Sequence, residues 1–436
     1  MDSADATNIN ALGLGLILLL GIFTLALPRR YASIPMLASG TLLTMGQIWY
    51  VAGFHFTMLR IMLLFGWARL IIRKDMVGIK FNEIDKALLL WVLANFVIYN
   101  LRELSADAFV NRLGFAYNTI GFYFFFRFLI RDHEDIILLV KALAILVVPL
   151  AACMILEKTT GRNIFSHFGG VGEFTVVRGE RLRCQGPFRH PILAGSFGSV
   201  IVPLLVGLWF SGRAKALALV AGISATVVTV TSASSGPVLS YAAGIVALGA
   251  WRIRRNMRVI RWGILATVIV LHIVMKAPVW YLIGRTSAIS GGTGWHRSEL
   301  INQAITRIDE WWILGTSYTE HWMPYALRLY QGQADITNNY LRQGVDGGLL
   351  TMMLFIVVIA LCFKQVGLTV KAWENIEHLP QYLPWALGAS LFVHAVAFIA
   401  VSYFDQMQIY FFMLLAMIAA LPKMRVGNDQ IYSNRF

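Results

Sequence analysis

The chain has little charge, few cysteines and no nucleotide-binding run. Only 14% of its 436 residues are Asp, Glu, Lys or Arg, against 58% hydrophobic. A soluble domain cannot hide that much apolar surface, so a free-standing globule in water is excluded. Three cysteines at unrelated spacings, Cys153, Cys184 and Cys362, give no disulfide framework. The nine histidines follow no ligand pattern, and His296 and His321 are too far apart to form a motif. No metal and no other cofactor is expected. There is no P-loop and no dinucleotide fingerprint, which argues against ATP-driven chemistry. The first apolar run lacks a basic n-region and a cleavage site, so it reads as a retained span. No linker or low-complexity tract marks a second domain, and residues 1–436 read as a single membrane domain.

What the chain does have is apolar runs of about 17–22 residues, the length that crosses hydrocarbon as a helix. They fall near 11–28, 33–51, 57–72, 84–101, 112–130, 134–156, 190–210, 214–231, 235–251, 260–277, 344–363, 383–401 and 404–421. Inside a bilayer only helices or closed barrels satisfy the backbone, and unbroken runs of this length mean helices. The expected fold is all-α: a polytopic bundle of 12–13 transmembrane helices.

Lys and Arg concentrate in alternate connections, including Arg29-Arg30, Arg73 to Lys86, Arg131, Arg213 with Lys215, "WRIRRNMRVIR" (251–261), Lys364 with Lys371, and Lys423 with Arg425. Positive loops stay in the cytoplasm. This places the N-terminus outside and the C-terminus inside, with 371–382 a cytoplasmic connector and 423–436 a cytoplasmic tail. Much of the +14 net charge is this topological signal. It does not argue for nucleic acid.

Two longer segments, 157–189 and 278–343, fall on the outer face. Together they hold ten arginines (Arg162, Arg178, Arg181, Arg183, Arg189, Arg285, Arg297, Arg307, Arg328, Arg342) and a single lysine, Lys158. Solubility alone does not select arginine. Its planar fork grips two oxygens of a phosphate or carboxylate and never loses its charge. The plainer alternatives are lipid-headgroup contacts or ion pairs with the eight acidic residues of the same segments.

In "RLRCQGPFRHPILAG" (181–195), Pro191 suits the first turn of a helix. The seventh span would then point its positive end outward, so an anion beside Arg183 and Arg189 would also meet free N–H groups. Arg181 and His190 stand next to it. Gly195, Ser196, Gly198 and Ser199 suit ordinary close helix packing or the approach of a lipid tail.

From Trp295 to Trp312 the pattern is helical, with Leu300, Ile301, Ala304, Ile305, Ile308, Trp311 and Trp312 on one face. This predicts an amphipathic interfacial helix in the longer segment. Arg297 falls inside the apolar stripe, so it either meets an oxyanion or snorkels to water. Further on, Asp335, Thr337, Asn338 and Tyr340 offer contacts to sugar hydroxyls. Thr337 or Asn338 would equally serve as a helix cap. Arg60, near the outer end of the third span, either reaches a lipid phosphate or snorkels.

"RLRCQGPFRHP", "TSASSGP" (231–237), "GWHRSEL…LGTS" and "DITNNYLRQGVDGGLL" occur in an order that resembles the O-antigen ligase and Wzy-type polymerase superfamily. The resemblance covers roughly 180–365. It implies a bacterial inner-membrane glycosyltransferase that takes glycan from an undecaprenyl-diphosphate carrier on the periplasmic face. It implies no nucleotide sugar and no metal. The acceptor is a second carrier-linked repeat in a polymerase and lipid A core in a ligase. Membrane lipids and polysaccharide chain-length or export proteins are the further partners it suggests. Arg183 resembles the family arginine before the Gly-x-x-x-x-Pro turn, and Arg297 that of the long periplasmic loop. Many ligases have His-Asn where this chain reads Thr337-Asn338, and the family arginine of the span-loop motif is replaced by Ser235-Gly236. The "DITN…GVDGG" form resembles exopolysaccharide members more, which favours a polymerase.

The implied chemistry needs fixed cations where a diphosphate leaves, a role for Arg183 and Arg297 supported by Arg181 and Arg189. It also needs a base for the acceptor hydroxyl. His321 or Asp335 could serve, with Glu320 and Glu299 behind them. A flippase would show related halves and broken mid-membrane spans, and none is visible. A non-catalytic scaffold is the third reading.

Overall fold

The computed structural model describes residues 9–51, 54–290, 294–323, 328–330, 332–374, 376 and 379–433, without the side chains of 51, 54, 286–290, 328–330 and 422–433. Its helices are α1 (Ala11–Ala26), α2 (Ile34–Leu42), α3 (Met58–Ile72), α4 (Glu83–Glu103), α5 (Ala106–Leu129), α6 (His133–Thr160), α7 (Pro191–Phe210) and α8 (Lys215–Thr231). They continue as α9 (Ser235–Gly249), α10 (Met257–Val274), α11 (Tyr281–Ser290), α12 (Gly294–Thr306), α13 (Asn339–Trp373), α14 (Tyr382–Ala397) and α15 (Gln406–Ser433). Three antiparallel hairpins join them: β1 (Ile48–Val51) with β2 (Phe54–Thr57), β3 (Val176–Arg178) with β4 (Arg181–Arg183), and β5 (Arg328–Tyr330) with β6 (Gln333–Ala334).

The fold is a helical bundle with the apolar surface of a membrane protein. Five helical stretches are long and apolar enough to cross a membrane: Glu83–Glu103, His133–Thr160, Pro191–Phe210, Ser235–Val274 and Asn339–Trp373. Ala11–Ala26, Lys215–Thr231, Tyr382–Ala397 and Gln406–Leu421 are apolar but shorter. Helix α10 buries none of its residues and exposes Val259, Trp262, Ile264, Val270, Ile273 and Val274. An uncovered helix of that composition needs an apolar surrounding.

Helix α7 is the hub, packed by α6, α8, α9 and α14. Small residues let its neighbours close in. A Cβ at Gly198 would stand 2.6 Å from the carbonyl oxygen of Ala225, and one at Gly207 would stand 2.7 Å from Ala386. Ser196 and Ser199 donate to carbonyls of their own helix. The close-packing reading of the Gly195–Ser199 run is therefore the right one. Cys184 and Cys362 are buried, and all three cysteines are free thiols.

The structure corrects several expected elements. The run 33–51 is not one span. Helix α2 stops at Leu42 and the chain turns into β1. The cause is tertiary. Gly46 packs its backbone on Gly170, and Gln47 bonds to Asn10 N–H and the Phe168 carbonyl, which fixes a loop before the β-prone Ile48–Val51. The helix expected from Trp295 to Trp312 ends at Thr306, and Trp311 folds back to give its indole N–H to Ala304 at 2.8 Å. Leu300, Ala304 and Trp311 of its stripe are buried, while Ile305, Ile308 and Trp312 are exposed. The span expected at 344–363 lies within the longer α13, which breaks at Gly347–Gly348. The tail expected from 423 continues α15 to Ser433.

Helix ends group the elements. The end of α6, the starts of α7, α9, α13 and α15, and the three hairpins lie at one end, here called the hairpin end. At the opposite end several arginines are paired with carboxylates, and Arg131 donates to the Phe128, Val77 and Asp75 carbonyls. Arg127 bonds Asp85 through Nε at 2.9 Å and Nη2 at 3.0 Å, with both side chains fully buried. Arg69 pairs with Asp75, Arg29 and Arg30 with Asp135, and Arg254 and Arg255 with Glu374.

Candidate functional site

The β3–β4 hairpin is anchored to two helix ends. Cys184 N–H donates to the Thr231 carbonyl at the end of α8 (3.1 Å), and Lys158 donates to the Leu182 carbonyl (2.7 Å). Gln185 and Gly186 N–H groups donate to the Glu157 carboxylate at 3.0 and 2.8 Å. Arg183 is thereby held facing the α8–α9 connection. It is 8% exposed, its Nη2 donates to Ser234 Oγ at 2.8 Å, and its buried Nε has no partner.

Arg297 reaches the same connection from the other side. On α12 it shares the buried face with Leu300 and Ala304, as the stripe predicted, and it too is 8% exposed. A Cβ at Gly236 would meet its Nη2 at 3.4 Å and the Ala400 Cβ at 3.3 Å. Its Nε is buried without a partner, and no hydrogen bond or ion pair reaches the guanidinium among the described residues. So the two arginines meet the Ser232–Pro237 stretch two residues apart, and neither has a carboxylate partner among the described residues.

Electrostatics report the same crowding. Burial pushes both guanidinium pKa values down, and the nearby Arg178 charge pushes them further. They remain cations at neutral pH. His190 is pushed down to about 4, by burial first and then by Arg183 and Arg178. Its surface is exposed, so solvent screens part of that push. The ring caps α7, accepting from Ile192 N–H at 3.1 Å.

The remaining arginines of the two long segments sort cleanly. Arg162, Arg307 and Arg342 are paired with Glu173, Glu310 and Asp346. Arg189 stands 3.6 Å from Asp405. Arg178, Arg181 and Arg285 are exposed, and the side chain of Arg328 lies outside the described residues. The ion-pair reading holds for some of the set and fails for Arg183 and Arg297.

Several other candidates have structural roles. Asn338 caps α13 through Tyr340 and Leu341 N–H groups, and Tyr340 donates to the Ala395 carbonyl at 2.9 Å. His321 does not join the arginines. Its Nε2 sits 2.9 Å from the Glu310 carboxylate, which also accepts from Trp322, and its ring stacks on Tyr318. Glu320 accepts from Gly332 N–H, and Glu299 accepts from Tyr281 and Gln303. Arg60 is half-buried and donates to Asn118 and the His55 carbonyl. Three of these candidates keep an unpaired polar group. His321 Nδ1 is buried without a partner. Thr337 Oγ1 is buried without a partner. The Asp335 carboxylate has no hydrogen bond among the described residues; burial pushes its pKa up against the charges of His296 and Arg342.

The "GVDGG" and "LGTS" motifs form a joint between loop and helix. Gly348 has φ +73°, and a Cβ there would strike the Ile313 carbonyl. Thr316 N–H donates to Val345 O at 2.9 Å, and Leu349 N–H to Trp312 O at 2.8 Å. Asp346 is held between Arg112 (3.1 Å) and Arg342 (3.2 Å).

Sequence reasoning missed Arg112, Glu310 and Asp405. Asp405 was legible: it is an acid at the edge of an apolar run, in "SYFDQMQ". A cavity of about 420 Å³ lies at the opposite end, lined by Glu134, Phe210, Arg213, Trp251 and Tyr382, among others. It has no unpaired buried arginine; Arg213 is closed by Glu134 at 2.7 Å.

No family model matches the chain, and neither a curated protein nor a solved structure matches it.

Proposed function

We propose that the chain is an inner-membrane glycosyltransferase that takes glycan from an undecaprenyl-diphosphate carrier at the periplasmic face and joins it to a second carrier-linked repeat. The observation that carries this reading is the pair Arg183 and Arg297, nine-tenths buried without a carboxylate and converging on Ser232–Pro237. Two buried cations in one place call for an anion. The nearby N-terminus of α7 and the exposed Arg178 add to the same field. In this reading the hairpin end is periplasmic, with the N-terminus outside and the C-terminus in the cytoplasm, as the Lys and Arg loops require.

The reaction follows from charge. As the anomeric C–O bond breaks, negative charge grows on the departing diphosphate. Fixed guanidiniums in a partly dry site stabilise that charge more than they stabilise the intact donor. The exposed apolar helices leave room for the carrier's tail in lipid. The resemblance in motif order supports a polymerase or a ligase, and the acceptor separates the two.

The test is to incubate purified protein with a synthetic diphosphate-linked repeat, with and without lipid A core. Chain growth on the carrier alone supports the polymerase, and product only with lipid A core supports the ligase. No product with either, from protein shown to be folded, contradicts the reading.

A further inference from the structure

Resting on that reading, we propose that Asp405 is the base that takes the proton of the acceptor hydroxyl. His321, the imidazole considered for this role, has its Nε2 on Glu310, while its Nδ1 is buried with no partner. Glu157 is filled by backbone N–H groups, and Asp346 by two arginines. Asp405 is held more loosely than those two carboxylates, with Arg189 Nη1 3.6 Å from its Oδ2. It lies in the turn between α14 and α15, its side chain is 15% exposed, and its Oδ2 is buried with no hydrogen bond.

The surroundings hold this carboxylate in place. Its φ of +48° lies in the left-handed region that few non-glycine residues adopt. The next residue, Gln406, donates to the Pro187 carbonyl at 2.9 Å and so ties the turn to the segment carrying Arg189 and His190. The same α14–α15 connection passes the guanidinium pair, since Ala400 lies against Gly236 beside Arg297. One short loop thus links the place where the leaving group would be held to a poised carboxylate.

The charged and titratable groups facing Asp405 are Arg189, from the turn before α7, and Arg60, from α3, with Tyr117 of α5 packed on Arg60. Burial pushes the carboxyl pKa up, while Arg189 and Arg60 restrain the rise. A raised carboxyl is a better proton acceptor than an ordinary one. The balance of the step is simple. The acceptor oxygen bonds the anomeric carbon, and its proton passes to Asp405. The anomeric carbon–phosphate oxygen bond breaks, with the electron pair leaving on the diphosphate. The proton then exchanges with water.

The experiment compares Asp405→Asn, Asp405→Glu, Asp335→Asn and Arg297→Gln with the parent protein, using the synthetic diphosphate-linked repeat. Expected for Asp405→Asn is a loss of kcat of at least about 100-fold with KM for the donor little changed. The rise of kcat with pH should vanish in that variant and be displaced in Asp405→Glu, and each variant's melting temperature is read alongside. Near-normal kcat in Asp405→Asn overturns the inference. So does an unchanged pH profile with raised KM, which would make Asp405 only a holder of Arg189. A loss confined to Asp335→Asn would transfer the role to Asp335. If Arg297→Gln turns over normally, the glycosyltransferase reading itself falls. If Arg297→Gln is dead and Asp405→Asn is not, only the present inference falls.

Discussion

Arg127 and Arg297 are both buried arginines in one bundle, and they differ in their partners. Arg127 has Asp85 on two of its nitrogens, whereas Arg297 has no carboxylate partner among the described residues. Neither is perfectly satisfied, because Arg127 Nη1 also lacks a partner. The difference is both charge compensation and hydrogen bonding, since Arg127 also reaches the Lys80 carbonyl while no hydrogen bond reaches Arg297 among the described residues. A compensated buried cation belongs to the architecture. An uncompensated one costs stability in the free protein, and in the proposed reading it is kept for a ligand that supplies the charge.

The sharpest way to break this contrast is to neutralise each class. Arg297→Gln and Arg183→Gln should each lower transfer by at least about 100-fold, with melting in detergent unchanged or slightly raised. Next in size is Arg127→Met, which strands the Asp85 carboxylate and should destabilise the protein by about 3–5 kcal/mol. Chemical or thermal unfolding measures this. If both classes of variant lost stability alike, the distinction would fail.

A smaller effect is expected at the loop–helix joint. Gly348→Ala forces a Cβ onto the Ile313 carbonyl at positive φ, and should cost about 1–3 kcal/mol of stability. The smallest effect concerns His190. Its pKa is lowered from 6.5 to about 4, so on acidification the unfolded chain takes up the proton first. Its contribution to stability is complete above 6.5 and is lost as pH falls through that window to about 4. An anion that neutralises Arg183 and Arg178 should raise the His190 pKa, which selective histidine labelling and NMR titration would detect.

The sequence made the bundle legible because lipid exposure and helix length leave a strong apolar period. Arg297 inside an apolar stripe was legible for the same reason: position 297 lies on the face of Leu300 and Ala304. The break in 33–51 was not legible, since it depends on Gly46 meeting Gly170 from a distant loop. Nor was the pairing of His321 with Glu310, which needs the chain to fold back after Thr306. Thr337-Asn338 looked ambiguous between cap and contact. The structure gives the cap to Asn338 and leaves Thr337 Oγ1 without a partner. Composition alone cannot separate compensated from uncompensated arginines, because both use the same residue and only tertiary neighbours differ.

The most direct measurement of the central claim is calorimetric binding of a polyprenyl diphosphate to the purified protein in lipid nanodiscs. Binding to the parent chain should weaken at least about tenfold in Arg183→Gln and in Arg297→Gln, and stay unchanged in a control at Arg255, which lies at the opposite end. Equal affinity in the parent and in the double Arg183→Gln, Arg297→Gln variant would contradict the claim.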